Sequence, residues 1–92
     1  IDFIILFVTR TKQKQEVQYK DYIDNGVLYW EGENGHRSDL RIKNHIKNKD
    51  KIYLFYRDIH HTLFAYFGEV FVKSSLIKQD SPSQFTFNIA KL

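Results

Sequence analysis

Asp2-Phe3-Ile4-Ile5-Leu6-Phe7-Val8-Thr9 is a continuous β-branched and aromatic run, with charge at Asp2 and Arg10 marking its two ends. A run of this length without alternation reads as a strand buried on both faces, and so as the central staple of the fold. It is far too short to cross a bilayer, and it lacks the basic flank and small-residue cleavage site of a signal peptide.

The stretches that follow read as further strands. Gln18 to Ile23 and Gly26 to Glu31 are short strands joined through Asp24-Asn25-Gly26, where Asn-Gly tolerates the positive φ of a tight hairpin turn. Lys51 to Arg57 sets Ile52, Leu54 and Tyr56 on one face against Tyr53, Phe55 and Arg57 on the other, and a turn with Asp58, His60 and His61 follows. Leu63 to Lys73 is a long strand with Gly68 placed for a bulge. Lys78 to Ser83, with Pro82, connects to Gln84 to Ala90, where Phe85, Phe87 and Ile89 alternate with polar or small residues. Ser38 is positioned to cap a helix from Asp39 to about Lys47, with Ile42 and Ile46 stacked on one face. About seven strands, one or two short helices and no βαβ alternation predict a mainly β, mostly antiparallel barrel or pseudobarrel.

The 92 residues fit one domain, and 42% hydrophobic with 16% aromatic content supplies a core. Cysteine is absent, which excludes a disulfide framework and a thiolate zinc site. Methionine is absent even at position 1, and a chain that opens inside a strand is expected to be a piece of a longer protein. With no leader or spanning segment visible, the expected environment is intracellular.

Charge is unevenly placed. Arg10, Lys12, Lys14 and Lys20 against Glu16 give +3 over positions 10–20, equal to the net charge of the whole chain. Arg37, Arg41, Lys43, Lys47, Lys49 and Lys51 against Asp39 and Asp50 give +4 over positions 37–51. Two basic segments of this kind are the electrostatic footprint of a phosphate-binding face, and the plainer alternative is two solvated segments.

Three polar excursions interrupt the strands. The first, Arg10 to Gln18, carries basic residues with Gln13, Gln15 and Gln18; the second, Glu31 to Ser38, offers Glu31, Asn34, His36, Arg37 and Ser38 between Gly32 and Gly35; the third holds Arg57, His60 and His61. Arginine reads guanine with its fork, Asn and Gln pair with adenine, acidic groups accept from cytosine, and lysines hold phosphates. Trp30 and Tyr29, just before the second excursion, are expected in the core.

An enzyme would need other residues. Glu31, Glu33, His36 and Asp39, or Asp58 with His60 and His61, contain metal-ligand types without metal-ligand spacing. No Gly-x-Ser-x-Gly elbow occurs, nor a carboxylate cluster with a following lysine at restriction-nuclease spacing. Neither catalysis, a metal nor a cofactor is expected of this chain by itself. A protein-interaction module, with six tyrosines and a tryptophan, is the remaining alternative.

Taken in order, Tyr19-Lys20-Asp21-Tyr22, Leu28-Tyr29-Trp30-Glu31-Gly32-Glu33-Asn34, Ile52-Tyr53-Leu54-Phe55-Tyr56-Arg57 and Phe64-Ala65-Tyr66-Phe67-Gly68-Glu69-Val70 resemble a known pattern. It is that of the B3-like DNA-recognition domain of bacterial restriction endonucleases of the LlaJI, NgoAVII and BfiI type. The chain departs from it at Gly32-Glu33, where the family often carries Ser-Gln, and in its last strand. The resemblance implies a pseudobarrel that reads the major groove of double-stranded DNA with two arms. The first arm would hold Arg10, Lys12, Lys14, Gln15 and Lys20, with Asp21 and the tail Glu31, Asn34, His36, Arg37 and Ser38; the second would hold Arg57, His60 and His61. It further implies a nuclease or nucleotide-hydrolysing motor as partner domain or subunit, no membrane, and the bacterial cytoplasm. A reader of modified cytosine is its close variant.

Overall fold

A computed structural model describes residues 3–11, 21–32, 37–59 and 61–90. The strands β1 (Phe3–Thr11), β2 (Tyr22–Asp24) and β3 (Val27–Glu31) come first, then the helices α1 (Asp39–Lys43) and α2 (His45–Asn48). The strands β4 (Lys51–Ile59), β5 (Ala65–Leu76) and β6 (Gln84–Ile89) complete the chain. All six strands join one sheet in the order β1-β4-β5-β6-β3-β2, curled into a half-barrel. The chain is thus mainly β as expected, with six strands among the described residues rather than seven.

Local chemistry explains the elements that agree with expectation. Asn25 and Gly26 adopt φ of 50° and 74° and close the two-residue turn between β2 and β3, where Asp24 pairs with Val27. Gly68 has φ of 89° at the point where the β4–β5 register slips between Leu54 and Phe55. That is the predicted bulge, at a backbone angle that only glycine adopts without strain.

The opening strand is a correction. β1 is the end strand of the sheet, not its central staple, and Phe3, Ile5 and Phe7 are 62%, 43% and 62% exposed. Only its other face, with Leu6 and Val8, enters the core. Its partner β4 runs parallel to it, from Phe3 opposite Lys51 to Thr11 opposite Ile59, so the sheet is mixed.

The helix predicted from Asp39 to about Lys47 is two short ones, within the one or two expected, and its continuity is corrected. It breaks at Asn44, whose φ of −100° and ψ of 16° end α1, and Ser38 makes no side-chain cap bond. The break rotates the second turn, so His45 is buried where Ile46 was expected, and Ile46 is 62% exposed. The imidazole serves a backbone need: β5 loses register with β6 between Val72 and Ser74, and Val72 N–H donates to His45 Nε2 at 3.0 Å. The ring's Nδ1 then donates to the Asp50 carbonyl at 3.1 Å, which fixes the neutral tautomer protonated there.

The core is built from alternate residues of every long strand: Leu6 and Val8, Ile52, Leu54 and Tyr56, Val70, and Phe85, Phe87 and Ile89, closed by Leu28 and Ile42. Trp30 packs on it with its ring 5.7 Å from Phe85 and 6.0 Å from Phe87, in the expected role. Tyr29 faces the other way and stacks on Tyr22 at 4.7 Å. Among the described residues no helix is long and apolar enough to cross a membrane.

Candidate nucleic-acid interface

Parallel pairing of β1 with β4 has a positional consequence. Both strands end on the same side of the sheet, so the segment that follows Thr11 and the turn that follows Ile59 start next to each other. Two of the three polar excursions therefore share a root. Exposed Arg10 and half-buried Arg57 stand there, with exposed Asp58 and His61.

Arg57 is the organising residue of this end. Its Nε donates to Thr9 Oγ1 at 2.8 Å and one terminal nitrogen donates to the Thr62 carbonyl at 3.1 Å, while the guanidinium lies 4.2 Å over the Phe64 ring. One planar fork thus ties β1, β4 and the following turn together. The Thr62 hydroxyl adds a bond to the Ile59 carbonyl at 2.6 Å. A groove of about 320 Å³ runs along Arg57, Asp58, Ile59, Thr62 and Leu63. A second, of about 440 Å³, is lined by Arg10, Tyr22, Ile23, Asp24, Tyr56, Asp58 and Phe67.

Tyr56 and Asp58 were not among the expected site residues. They stand two apart on β4 and so share one face of the strand, buried at Tyr56 and exposed at Asp58, a relation visible in the alternation once β4 is extended to Ile59. Burial, reinforced by the negative charge of the Asp58 carboxylate, holds Tyr56 above the ordinary tyrosine pKa, with Arg10 acting in the opposite sense. The folded state therefore favours the neutral phenol. This contribution to stability is complete below the unfolded value of about 10 and is lost as pH rises through the folded value. Tyr56→Phe is expected to lessen the fall of melting temperature on the alkaline side, checked by thermal melts from about pH 8 to about pH 11.

The remaining expected residues fall elsewhere. Asp21 is buried, and its carboxylate accepts from the Glu31 backbone N–H at 3.0 Å, so it braces the end of β3 instead of facing solvent. β3 runs opposite to β1 and β4, so Glu31 leaves the sheet on the side where those strands begin. Half-buried Glu31 and exposed Arg37 and Ser38 thus lie by strand polarity at the other end, beside α1. The structure does not bring them to Arg10 and Arg57. Lys12, Lys14, Gln15, Lys20, Asn34, His36 and His60 lie outside the described residues.

At that other end the polar groups serve packing. Ser83 Oγ donates to Asp39 Oδ2 at 2.6 Å and accepts from Lys78 N–H at 3.0 Å, while the Ser83 carbonyl accepts from Gly32 N–H at 2.8 Å. Gly32 is there because of close approach: a Cβ would stand 2.9 Å from Asp39 Oδ1. Asp39 is buried and hydrogen-bonded, so it cannot swing aside cheaply. Gly32→Ala is expected to destabilise by about 1–2 kcal/mol, overpacking outweighing the entropy removed from the unfolded chain, and a urea titration reads it.

Among the described residues no group of three His, Cys, Asp or Glu side chains could hold a metal ion. Comparison of the chain with protein-family models, with curated proteins and with solved structures finds no match.

Proposed function

We propose that this chain is a sequence-specific double-stranded DNA-binding domain of the B3-like pseudobarrel kind, the targeting module of a bacterial restriction system. The observation that carries the reading is the common root of two polar segments at the paired ends of β1 and β4. One continues into the basic, glutamine-rich positions 12–20 and the other carries Arg57 and His61. Two arms rooted at neighbouring strand ends would suit a duplex, because one arm could follow each side of the major groove. Lys12, Lys14 and Lys20 would neutralise phosphates, while Arg57 and Gln15 would read base edges. The module would act in the bacterial cytoplasm, and DNA cleavage would come from a nuclease or a nucleotide-hydrolysing motor in the same protein or system.

Selection from a randomised duplex pool, followed by titrations at several salt concentrations, tests this. A defined sequence should be enriched, and log affinity should fall with log salt at a slope of about −0.9 for each phosphate neutralised. Enrichment of no duplex, or affinity indifferent to salt, would overturn the reading. Preference for a duplex with modified cytosine over the same unmodified sequence would assign the module to modified bases.

A further inference from the structure

β1 ends the sheet, and among the described residues its only ladder is the one with β4. Natural sheet edges are kept apart by charges, prolines, bulges or short strands. This edge has none of them from Phe3 to Thr9: no charged residue or proline occurs, and the register with β4 runs unbroken from Phe3–Lys51 to Thr9–Arg57. Phe3, Ile5 and Phe7 also leave the outer face of the strand largely exposed. Beside the edge lies a groove of about 250 Å³, with Ile4 to Phe7 on one wall and Trp30, Ser38, Asp39 and Ile42 on the other. There is room on that side for the side chains of another strand.

The edge is also symmetric in sequence. Phe3-Ile4-Ile5-Leu6-Phe7 presents aromatic, aliphatic, aliphatic, aliphatic and aromatic positions in the same order from either end. A strand with this pattern is complementary to itself when reversed. We infer that the edge of β1 pairs antiparallel with β1 of a second copy of this chain, with the two-fold axis at Ile5. On the outer face Phe3 then meets Phe7 of the partner subunit, an aromatic cross-strand pair. On the inner face Ile4 meets Leu6 of the partner subunit. An uncharged edge offers no means of selecting an unrelated strand by charge, whereas its symmetry matches its own copy at every position. The paired stretch stops at Phe7, short of the Thr9–Arg57 bond, so it leaves the proposed DNA-reading end open and does not depend on that reading.

The chain has no cysteine, so a single introduced thiol reports on the axis. Opposed Cβ atoms across an antiparallel pair stand about 4.5–5.5 Å apart, close enough for a disulfide to form with slight adjustment. Under a mild oxidant, Ile5→Cys is expected to give a linked dimer at least roughly tenfold faster than Leu40→Cys, a control position 64% exposed on α1. Sedimentation of the unaltered chain through the micromolar range should show mass rising from one chain to two. Ile5→Lys should remain one chain while keeping its circular dichroism and melting temperature; if it fails to fold, Phe3→Lys replaces it. A single-chain mass at every concentration, a dimer that survives the lysine, or Ile5→Cys linking no faster than Leu40→Cys would each overturn the inference.

Discussion

Phe87→Ala is expected to cost about 3–5 kcal/mol, about a fifth or more of the roughly 5–14 kcal/mol available to a domain of this size. Phe87 is fully buried on β6, with Leu28 on β3 and Val72 on β5 opposite it in register, and its ring lies 6.0 Å from both Trp30 and Phe85. β6 is an inner strand, so the neighbours on either side are held by their own ladders and cannot collapse into the gap. The lost burial therefore adds to the cost of a cavity. Phe87→Leu keeps most of the volume and should cost less than about 1.5 kcal/mol. Urea unfolding should show a lower midpoint with an unchanged slope, and the melting temperature of the alanine variant should fall by at least about 12 °C. An effect equal for leucine and alanine would mean that the aromatic contacts, not the volume, hold this site.

The physical range of each signal decides how much of this was legible in the sequence. Asn25-Gly26 and Gly68 act through their own φ, so turn and bulge were readable at once. β6 was readable for a similar reason, since a strand buried on one face writes its alternation into Phe85, Phe87 and Ile89. The run from Phe3 to Val8 does not reveal its place, because continuous apolar sequence is the same for a strand covered on both faces and for an end strand with one apolar face exposed. What separates them is the neighbour, and β4 begins at Lys51, far along the chain.

The helical segment fails differently. Ile42 and Ile46 have the right spacing for one face, but the turn at Asn44 rotates His45 inward, where the displaced Val72 N–H needs an acceptor. That need arises from a register slip between β5 and β6, and nothing near His45 in sequence announces it. The candidate site shows the same division. Arg57 could be chosen as a strand-end arginine, but its bond to Thr9 spans 48 positions and depends on the parallel pairing. The resemblance joins the second polar excursion to the first arm, whereas strand direction decides which excursions meet, and it sends Glu31 to the opposite side.

Arg57→Ala is expected to lower affinity for the selected duplex by about 10- to 100-fold while weakening random duplex only a few-fold, a loss of about 1–3 kcal/mol of discrimination. Two effects contribute and can be separated. The first is direct, the removal of the guanidinium that the proposed function sets against a base edge. The second is positional, because the same fork holds Thr9 and the Thr62 carbonyl and covers Phe64, so its loss frees the turn that carries His61. Thr9→Val removes the Nε bond and leaves the charge in place, so it should reproduce only the positional share. Arg57→Lys keeps the charge but not the fork, and should restore binding to random duplex while leaving discrimination low. The two hydrogen bonds and the ring contact are partly exposed, so the change in fold stability should stay near 1–2 kcal/mol, too little to explain a selective loss by unfolding. Competition titrations of selected against random duplex, made well below the melting temperature of each variant, measure the difference. Equal losses on both duplexes would move Arg57 to the phosphate-holding set. In that case the salt slope should drop by about one charge, because a single phosphate contact has been removed.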